Sequence, residues 1–553
     1  MKSYLLRNFT FNPKDDVLSG LTVALALVPE AVAFAFVAGL DPLIGLYGAF
    51  MMGLITSVLG GRPGMISGAT GAMAVVMIDL ILKGNTVGQG LEQPAEFLGV
   101  KWLFIALLLA GAMQIAAGIF RLGKFVRLIP RPVMMGFVNG LAIVIFLAQL
   151  KMFPEVQSEE TFLQNPLQWL QVFFSNARSN WMLLFIALTM GIMYILPKFT
   201  KAIPSALVAI IVVALISVFS GLGLDTVESF IRSKGGADLS ELSISDKLPV
   251  FQSGLFGWLG TLEGHWSQIF STAAILAAVG LIESLLTLNL VDELTETRGS
   301  GNRECVAQGI ANITNGFFGG MGGCAMIGQS IINVNSGGRG RLSGITAAIA
   351  LFLFILFGAS IIEKIPIAAL VGVMFMVVIG TFAWSSLRIM NKIPFADAFV
   401  LVAVSAITVI ADLAIAVICG VIISALVFAW KNAKMIRARK HFKDKDTKVY
   451  EIWGPLFFGS VQAFNAKFDP KNDPENIEID FIESRVNDHS GIEAIRSIAN
   501  KYLALDKKIT LTHLSPDCRK LLVKANPKFK NIIERSVDDP RYYVVSDFMD
   551  KEV

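Results

Sequence analysis

Gly60-Gly61-Arg62-Pro63-Gly64-Met65-Ile66-Ser67-Gly68-Ala69-Thr70-Gly71 and Gly319-Gly320-Met321-Gly322-Gly323-Cys324-Ala325-Met326-Ile327-Gly328 are the two stretches that decide how this chain is read. Each is glycine-rich, lies inside apolar sequence and opens a hydrophobic run too short to cross a bilayer comfortably. Each sits at a similar place in one half of a long apolar region. Paired, interrupted hydrophobic segments point to the central site of a secondary transporter. A half-helix starting in mid-membrane aims unpaired backbone N–H groups and the positive end of its dipole at one spot, which attracts anions. The pair therefore implies a path for an anion across a membrane. Glycine in membrane helices also serves close helix packing, so the rest of the chain has to support that reading.

Of 553 residues, 54% are hydrophobic and 16% charged, and mean hydropathy is +0.63. A soluble domain carries nearer a quarter charged residues. The charge is unevenly placed: 17–430 is apolar, whereas 431–553 reads as an ordinary soluble domain. Cys305, Cys324, Cys419 and Cys518 have neither metal-ligand nor disulfide-framework spacing, and His265, His441, His489 and His513 form no cluster. The polar segment 1–16 leads into a membrane core and is not a cleavable signal peptide.

A spanning helix needs about 20 apolar residues. The runs predict about fourteen spans, at 17–38, 43–59, 66–83, 102–120, 132–150, 181–197, 203–222, 268–291, 304–318, 324–336, 342–358, 366–383, 396–411 and 413–430. An even number puts both termini on one side. With the N-terminus in the cytoplasm, the inside connections carry Arg62; Arg121, Lys124, Arg127 and Arg131; Lys198 and Lys201; Arg298 and Arg303; Arg339 and Arg341; Arg388 and Lys392. The exit from the last span adds Lys431, Lys434, Arg437, Arg439 and Lys440. The short outside connections carry Asp41, Glu363 with Lys364, and Asp412, as the positive-inside rule requires. The longer ones, 84–101, 151–180 and 223–267, mix both signs. Two sets of seven spans run inverted to one another because seven is odd, and the glycine breaks fall at the equivalent third and tenth spans.

The predicted organisation is a cytoplasmic segment 1–16, a transmembrane domain 17–430, a basic linker 431–447 and a small cytoplasmic α/β domain 448–553. In the last, Val449–Ile452, Pro455–Phe458, Ile477–Ile482 and Lys508–Thr512 read as strands. Gly459–Phe468, Ser490–Ala504 and Ser515–Ala525 read as helices, the second capped by Asp488 or Ser490.

In order along the chain, several motifs together resemble the SulP anion permeases. They are Pro29-Glu30-Ala31-Val32-Ala33-Phe34-Ala35, Gly45-Leu46-Tyr47, Ile66–Gly71, Gly280-Leu281-Ile282-Glu283-Ser284-Leu285-Leu286-Thr287, Gln308–Asn312 and Gly316–Gly320. The tail, with Gly454–Gly459 and Asp488-His489-Ser490-Gly491, is similar to that family's STAS domain. The resemblance implies a polytopic helical membrane protein, a seven-plus-seven inverted repeat with a core and a gate domain, usually a dimer, moving by an elevator mechanism in the plasma (inner) membrane. It places the substrate between the first, third, eighth and tenth spans. There backbone N–H groups near Ala69, Thr70 and Gly71 face those near Ile327, Gly328 and Gln329, with hydroxyls from Thr70 and Ser330 and a wall at Phe34.

The chain departs from many sulfate-type members, which have Ser-Arg-Ser where this chain has Gly328-Gln329-Ser330. Loss of that fixed charge weakens the site most for a divalent anion. The family's bicarbonate transporters also lack the arginine and share the pattern of Asn333-Val334, Gly337-Gly338-Arg339 and Leu342-Ser343-Gly344. The expected cargo is thus a small inorganic anion such as bicarbonate, with sulfate or a dicarboxylate as the alternative.

Glu283 is an intramembrane acid, which is by default a functional group, and Thr287 lies one turn on along the same face. The resemblance makes the pair a site for a coupling sodium ion, and a protonatable glutamate suits H+ equally. Glu30 is a second intramembrane acid without an assigned role, and Asp79 and Asp412 are read as lying near helix ends. In the tail, His489 stands where relatives have a phosphorylated serine, so assembly or a cytoplasmic regulator is the expected use. No cofactor beyond the coupling ion, and no nucleic-acid partner, is expected. Nucleophile–base sets and nucleotide loops are lacking, so a transporter and not an enzyme is expected. The readings of another class are an anion channel and a non-transporting receptor.

Overall fold

The apolar runs become helices in the same order. In this computed structural model the described residues are 12–90, 97–123, 130–150, 152–153, 177–199, 205–220, 225–229, 248–358, 364–410, 413–542 and 544. Among the described residues the first seven helices are α1 (Pro13–Val37), α2 (Pro42–Leu59), α3 (Gly71–Gln89), α4 (Leu98–Ile119), α5 (Arg131–Leu150), α6 (Ala177–Phe199) and α7 (Ser205–Ser220). Seven further long or interrupted helices follow, α8 (Trp266–Thr295), α9 (Gly301–Phe318), α10 (Ile327–Asn335), α11 (Arg341–Phe357), α12 (Ile367–Thr381), α13 (Phe395–Ile410) and α14 (Leu413–Ala433), with the short helix Trp384–Ile389 between α12 and α13. Strand β1 (Ser67–Ala69) precedes α3, and β2 (Gly323–Ala325) precedes α10. Lys124, Arg127, Lys201, Glu363, Asp412 and much of the connections 151–180 and 223–267 lie outside the described residues.

Local chemistry starts these helices where the sequence offers it. Asn12 caps α1 ahead of Pro13, and Asp41 caps α2 ahead of Pro42, its carboxylate accepting from Leu43 N at 2.8 Å. Arg341 closes the other end of α2. Its guanidinium donates to the carbonyls of Ser57, Val58 and Gly60 at 2.7–3.1 Å, satisfying a helix end that has no intrahelical donors. Arg62 is likewise held inside the fold, 3.1 Å from Asp292.

The packing repeats itself. α4 packs on α9 as α11 packs on α2; α1 packs on α11 as α8 packs on α4; α3 packs on α8 as α10 packs on α1; α5 packs on α13 as α12 packs on α6. Each pair maps onto its counterpart when α1–α7 is laid in order on α8–α14. The two short strands show the inversion directly. They pair antiparallel, so α3 and α10 are entered from opposite directions. Glycines permit the close approaches: a Cβ on Gly309 would lie 2.5 Å from Gly111 O, and one on Gly344 would lie 2.1 Å from Ser57 Oγ. Leu184, Ile211, Phe219, Phe395, Ile410 and Phe428 are exposed on the outer helices. A large apolar surface of that kind fits lipid and not water.

The chain divides into two compact units, Met1–Val421 and Ile422–Val553. The second holds a four-stranded sheet of β3 (Arg437–Asp444), β4 (Thr447–Trp453), β5 (Asn476–Asp480) and β6 (Lys508–Thr512) in that order. β3 and β4 are antiparallel; β4, β5 and β6 are parallel. Helices α15 (Val461–Asn465), α16 (His489–Leu503) and α17 (Pro516–Ala525) complete it around Tyr450, Ile479, Phe481, Ile495, Tyr502 and Leu511. Two details differ from the sequence reading. Pro455–Phe458 is no strand: Leu456 makes one isolated bridge to Val486 and the segment otherwise turns. Strand β3 falls inside the stretch read as a basic linker. Asp488, and not Ser490, caps α16, accepting from Gly491 N at 2.9 Å.

Candidate functional site

β1 and β2 cross where the two half-helices begin, with Ser67 opposite Ala325, Gly68 opposite Cys324 and Ala69 opposite Gly323. The surrounding helices grip this crossing through backbone groups. Asn312 of α9 accepts from Gly323 N at 3.0 Å and donates to Gly323 O at 3.1 Å. Ser284 of α8 accepts from Ala325 N at 3.1 Å, and Gln308 of α9 donates to Ser67 Oγ at 2.9 Å. The first N–H bonded back along α3 is that of Ala74, to Thr70 O. Along α10 it is that of Ser330, to Met326 O. The N–H groups of Gly71, Ala72 and Met73, and of Ile327, Gly328 and Gln329, are therefore left without partners in their own helices. The positive dipole ends of both helices lie there too.

The residues expected from the sequence divide into those at this surface and those turned away from it. Phe34 is buried, and its ring lies where a Cβ on Gly71 would touch it at 2.8 Å, so it lines the start of α3. Gly328 is exposed with nothing within 4 Å of a Cβ position, so the end of α10 opens onto free space beside half-buried Ile327. Ala69 lies in β1, before the helix starts, and is buried. Ser330, expected as a hydroxyl donor to ligand, has its Oγ on the backbone of Ile66, accepting from Ile66 N at 3.0 Å and donating to Ile66 O at 3.4 Å. Gln329 donates from Nε2 to the Glu30 carboxylate, which gives Glu30 a partner that sequence reasoning did not find.

Thr70 turns toward the acid on α8. It is the N-cap of α3 yet makes no capping bond; its Oγ1 lies 3.2 Å from Cys324 Sγ. Cys324 in turn donates to Glu283 Oε2 at 2.7 Å. Thr287 Oγ1 donates to Glu283 O at 2.8 Å and approaches Ala325 O at 3.4 Å, so its hydrogen is committed to backbone carbonyls. Among the described residues no group of three or more His, Cys, Asp or Glu side chains is placed to hold a metal ion. Asp79 is in mid-helix and not at an end: it is exposed on α3 and pairs with Lys83 at 2.8 Å. With Val76, Thr272 and Ile275 the two line a cavity of about 310 Å3 between α3 and α8. A larger one, about 760 Å3, lies around Asn289–Gly301 at the far end of α8, away from Glu283.

Sequence reasoning missed the roles of Cys324, Gln308 and Asn312. A signal existed for the last two: Glu304, Gln308 and Asn312 recur every four residues on one face of α9, and all three are buried. Cys324 carried none, because a single cysteine among glycines has no periodicity.

The model of the sulfate permease family matches residues 14–404, and that of the STAS domain residues 440–539. YbaR of Bacillus subtilis (strain 168), named a putative sulfate transporter, is 41% identical over 504 residues, 90% of this chain and 94% of its own. The bicarbonate transporter BicA of Picosynechococcus sp. is 30% identical over 521 residues, 90% of this chain and 88% of its own. Among solved structures, the transmembrane domain of a cyanobacterial BicA is 31% identical with a TM-score of 0.59, covering 74% of this chain and 99% of that one. SLC26A9 shares the fold at a TM-score of 0.77 and 16% identity, covering 95% of this chain and 89% of its own. The matched region covers well over half of the chain and holds both half-helices: the chain belongs to the sulfate permease family of multi-pass membrane transporters, with a STAS domain at its C-terminal end.

Proposed function

We propose that the chain is a secondary carrier of a small monovalent inorganic anion, bicarbonate first, driven by a proton held at Glu283. The observation that carries this reading is the convergence of two uncapped helix N-termini, at Gly71 and Ile327, where the adjoining polar side chain is the amide of Gln329 and not a cation. Helix ends alone hold a single charge weakly enough for release, and Coulomb energy scales with ligand charge, so a divalent ion gains most from the cation this site does not place there. Relatives named bicarbonate transporters support the same choice. Sulfate is the second reading, favoured by the 41% identical relative named a putative sulfate transporter.

A proton is favoured over sodium at Glu283 and Thr287 by the groups around them. Sodium is a hard cation that needs oxygen ligands, whereas the carboxylate faces the thiol of Cys324. The reading includes an elevator movement of a core against a gate domain, a homodimer, and a plasma-membrane location with both termini cytoplasmic. It includes a transport domain over 17–430 and an assembly or regulatory role for 448–553. Family resemblance supports these, and the basic connections support the orientation.

The test is uptake of radiolabelled bicarbonate and sulfate into proteoliposomes under an inward proton gradient, an inward sodium gradient, or neither, at alkaline pH to limit the carbon dioxide leak. Proton-driven bicarbonate uptake is expected. Sodium dependence would move the cation to Glu283 and Thr287, and channel-like flux indifferent to either gradient would overturn the carrier reading. Glu283→Gln is expected to abolish gradient-driven accumulation in a folded protein; normal coupled uptake by that variant would remove Glu283 from the mechanism.

A further inference from the structure

Three buried or half-buried side chains connect the acid of α8 to the N-terminal end of α3. Glu283 Oε2 accepts from Cys324 Sγ at 2.7 Å, and Cys324 Sγ lies 3.2 Å from Thr70 Oγ1. Cys324 is fully buried and Thr70 nearly so. A threonine at a helix N-cap ordinarily accepts from the N–H two or three residues on. Thr70 does not, and is turned onto the cysteine and toward the Glu283 carboxylate instead. Its Oγ1 is attached to the residue directly before the unpaired N–H of Gly71.

A thiol and a hydroxyl each carry one hydrogen and can each accept, so this chain of bonds has two polarities. With Glu283 ionised, the carboxylate only accepts. Cys324 S–H then donates to Glu283, Thr70 O–H donates to Cys324 Sγ, and the lone pairs of Thr70 are left for the end of α3. With one proton added to Glu283, its O–H donates to Sγ, the thiol hydrogen turns to Thr70 Oγ1, and the Thr70 hydrogen is released toward the helix end. No bond between heavy atoms changes; one proton is gained from solvent and two rotors turn.

We propose that Cys324 is a relay that converts protonation of Glu283 into a hydrogen-bond donor for the transported anion at Thr70. The inference rests on the proton-coupled reading above. An anion at the Gly71 end meets lone pairs in one state and an O–H in the other, so proton and anion each raise the other's affinity, by the same factor.

Other titratable groups on the elements packed against α8 are engaged elsewhere. On α3, Asp79 and Lys83 pair with each other; on α4, Lys101 sits 3.5 Å over the Trp258 ring. On α9, Arg303 donates to Leu59 O and Glu304 accepts from Gln308 and from Gly61 N. Cys305, also on α9, is buried, and α10 carries no titratable side chain.

The experiment measures bicarbonate binding to the purified full-length protein against pH, within the alkaline range where bicarbonate is the main species. Affinity of the unaltered chain is expected to fall about tenfold as Glu283 loses its proton, the scale of one hydrogen bond to a charged group. Cys324→Ser, which can still accept and donate, is expected to keep that dependence. Cys324→Ala and Thr70→Val, which break the relay at its middle and its end, are expected to flatten it. Glu283→Gln, whose amide always donates, is expected to bind tightly at every pH. Retention of the full pH dependence by Cys324→Ala, or by Thr70→Val if the alanine variant does not fold, overturns the relay and leaves proton coupling standing. pH-independent binding and proton-independent uptake by the unaltered chain overturn the functional reading itself.

Discussion

Glu30 and Glu283 occupy helices α1 and α8, which the repeat relates, and each meets the opening of a different half-helix. Glu30 accepts from Gln329 at the start of α10, and Glu283 reaches the cap of α3 through Cys324. The start of each half-helix is thus adjoined by a carboxyl group, which opposes that helix's dipole only when it is ionised. Replacing Gln329 by arginine alone would set a guanidinium against Glu30, and most of the added charge would be spent on that pair. We therefore expect Gln329→Arg to strengthen sulfate little, and Gln329→Arg with Glu30→Gln to strengthen it at least about tenfold, since an uncompensated charge near a dry site acts at low effective dielectric. Sulfate inhibition of bicarbonate uptake reads both; equal effects would show that Glu30 does not neutralise position 329. The four-residue spacing of Glu283 and Thr287 was legible in the sequence because one helix sets it. The Glu30–Gln329 contact was not, because 299 residues separate its partners.

At the scale of elements, the two half-helices depend on α9 as much as on their own sequences. Gln308 and Asn312 project from one face of α9 onto Ser67 and onto both backbone groups of Gly323. α9 can stand that close only because Gly309 and Gly111 meet without side chains. A leucine at Gly309 would place its Cβ 2.5 Å from Gly111 O and 2.7 Å from Ile115 Cγ1. Relief requires backbone movement, for which a loss of about 1–3 kcal/mol is expected. Thermal unfolding in detergent measures it, and an unchanged midpoint would show that α4 and α9 separate freely. The apolar helices among the described residues were legible because apolar run length decides them. The strands β1 and β2 were not: three small residues each show no alternation, and they are extended only because each supplies the other's partner.

The molecule as a whole joins two units that gain stability by different means. The membrane unit buries polar clasps inside an apolar exterior, and the C-terminal unit has an ordinary core with a polar anchor at Asp473. Burial alone would raise the Asp473 carboxyl, but donation from Lys448 at 2.5 Å, Tyr502 at 2.5 Å and Tyr450 at 2.7 Å outweighs it and holds the group below the usual carboxylate range. A depressed acid adds stability that is present above its unfolded value and is lost as pH falls through its folded one. Asp473→Asn is therefore expected to make the C-terminal unit more sensitive to limited proteolysis at neutral pH, by about 1–3 kcal/mol. The difference from the unaltered chain should vanish well below about pH 4; a difference that persists in acid would assign the effect to packing and not to charge. By itself the sequence determined what local rules decide: the order of the apolar helices among the described residues, the two glycine breaks and three of the four strands of the tail. Run length, periodicity and capping act within one element, so a linear reading suffices for them. Only the tertiary structure decided that Ser330 serves the backbone of Ile66, that Gln329 answers Glu30, and that Cys324 stands between Glu283 and Thr70. Those contacts join residues 41 to 299 positions apart, and only the folding of two inverted halves onto one another brings them within reach.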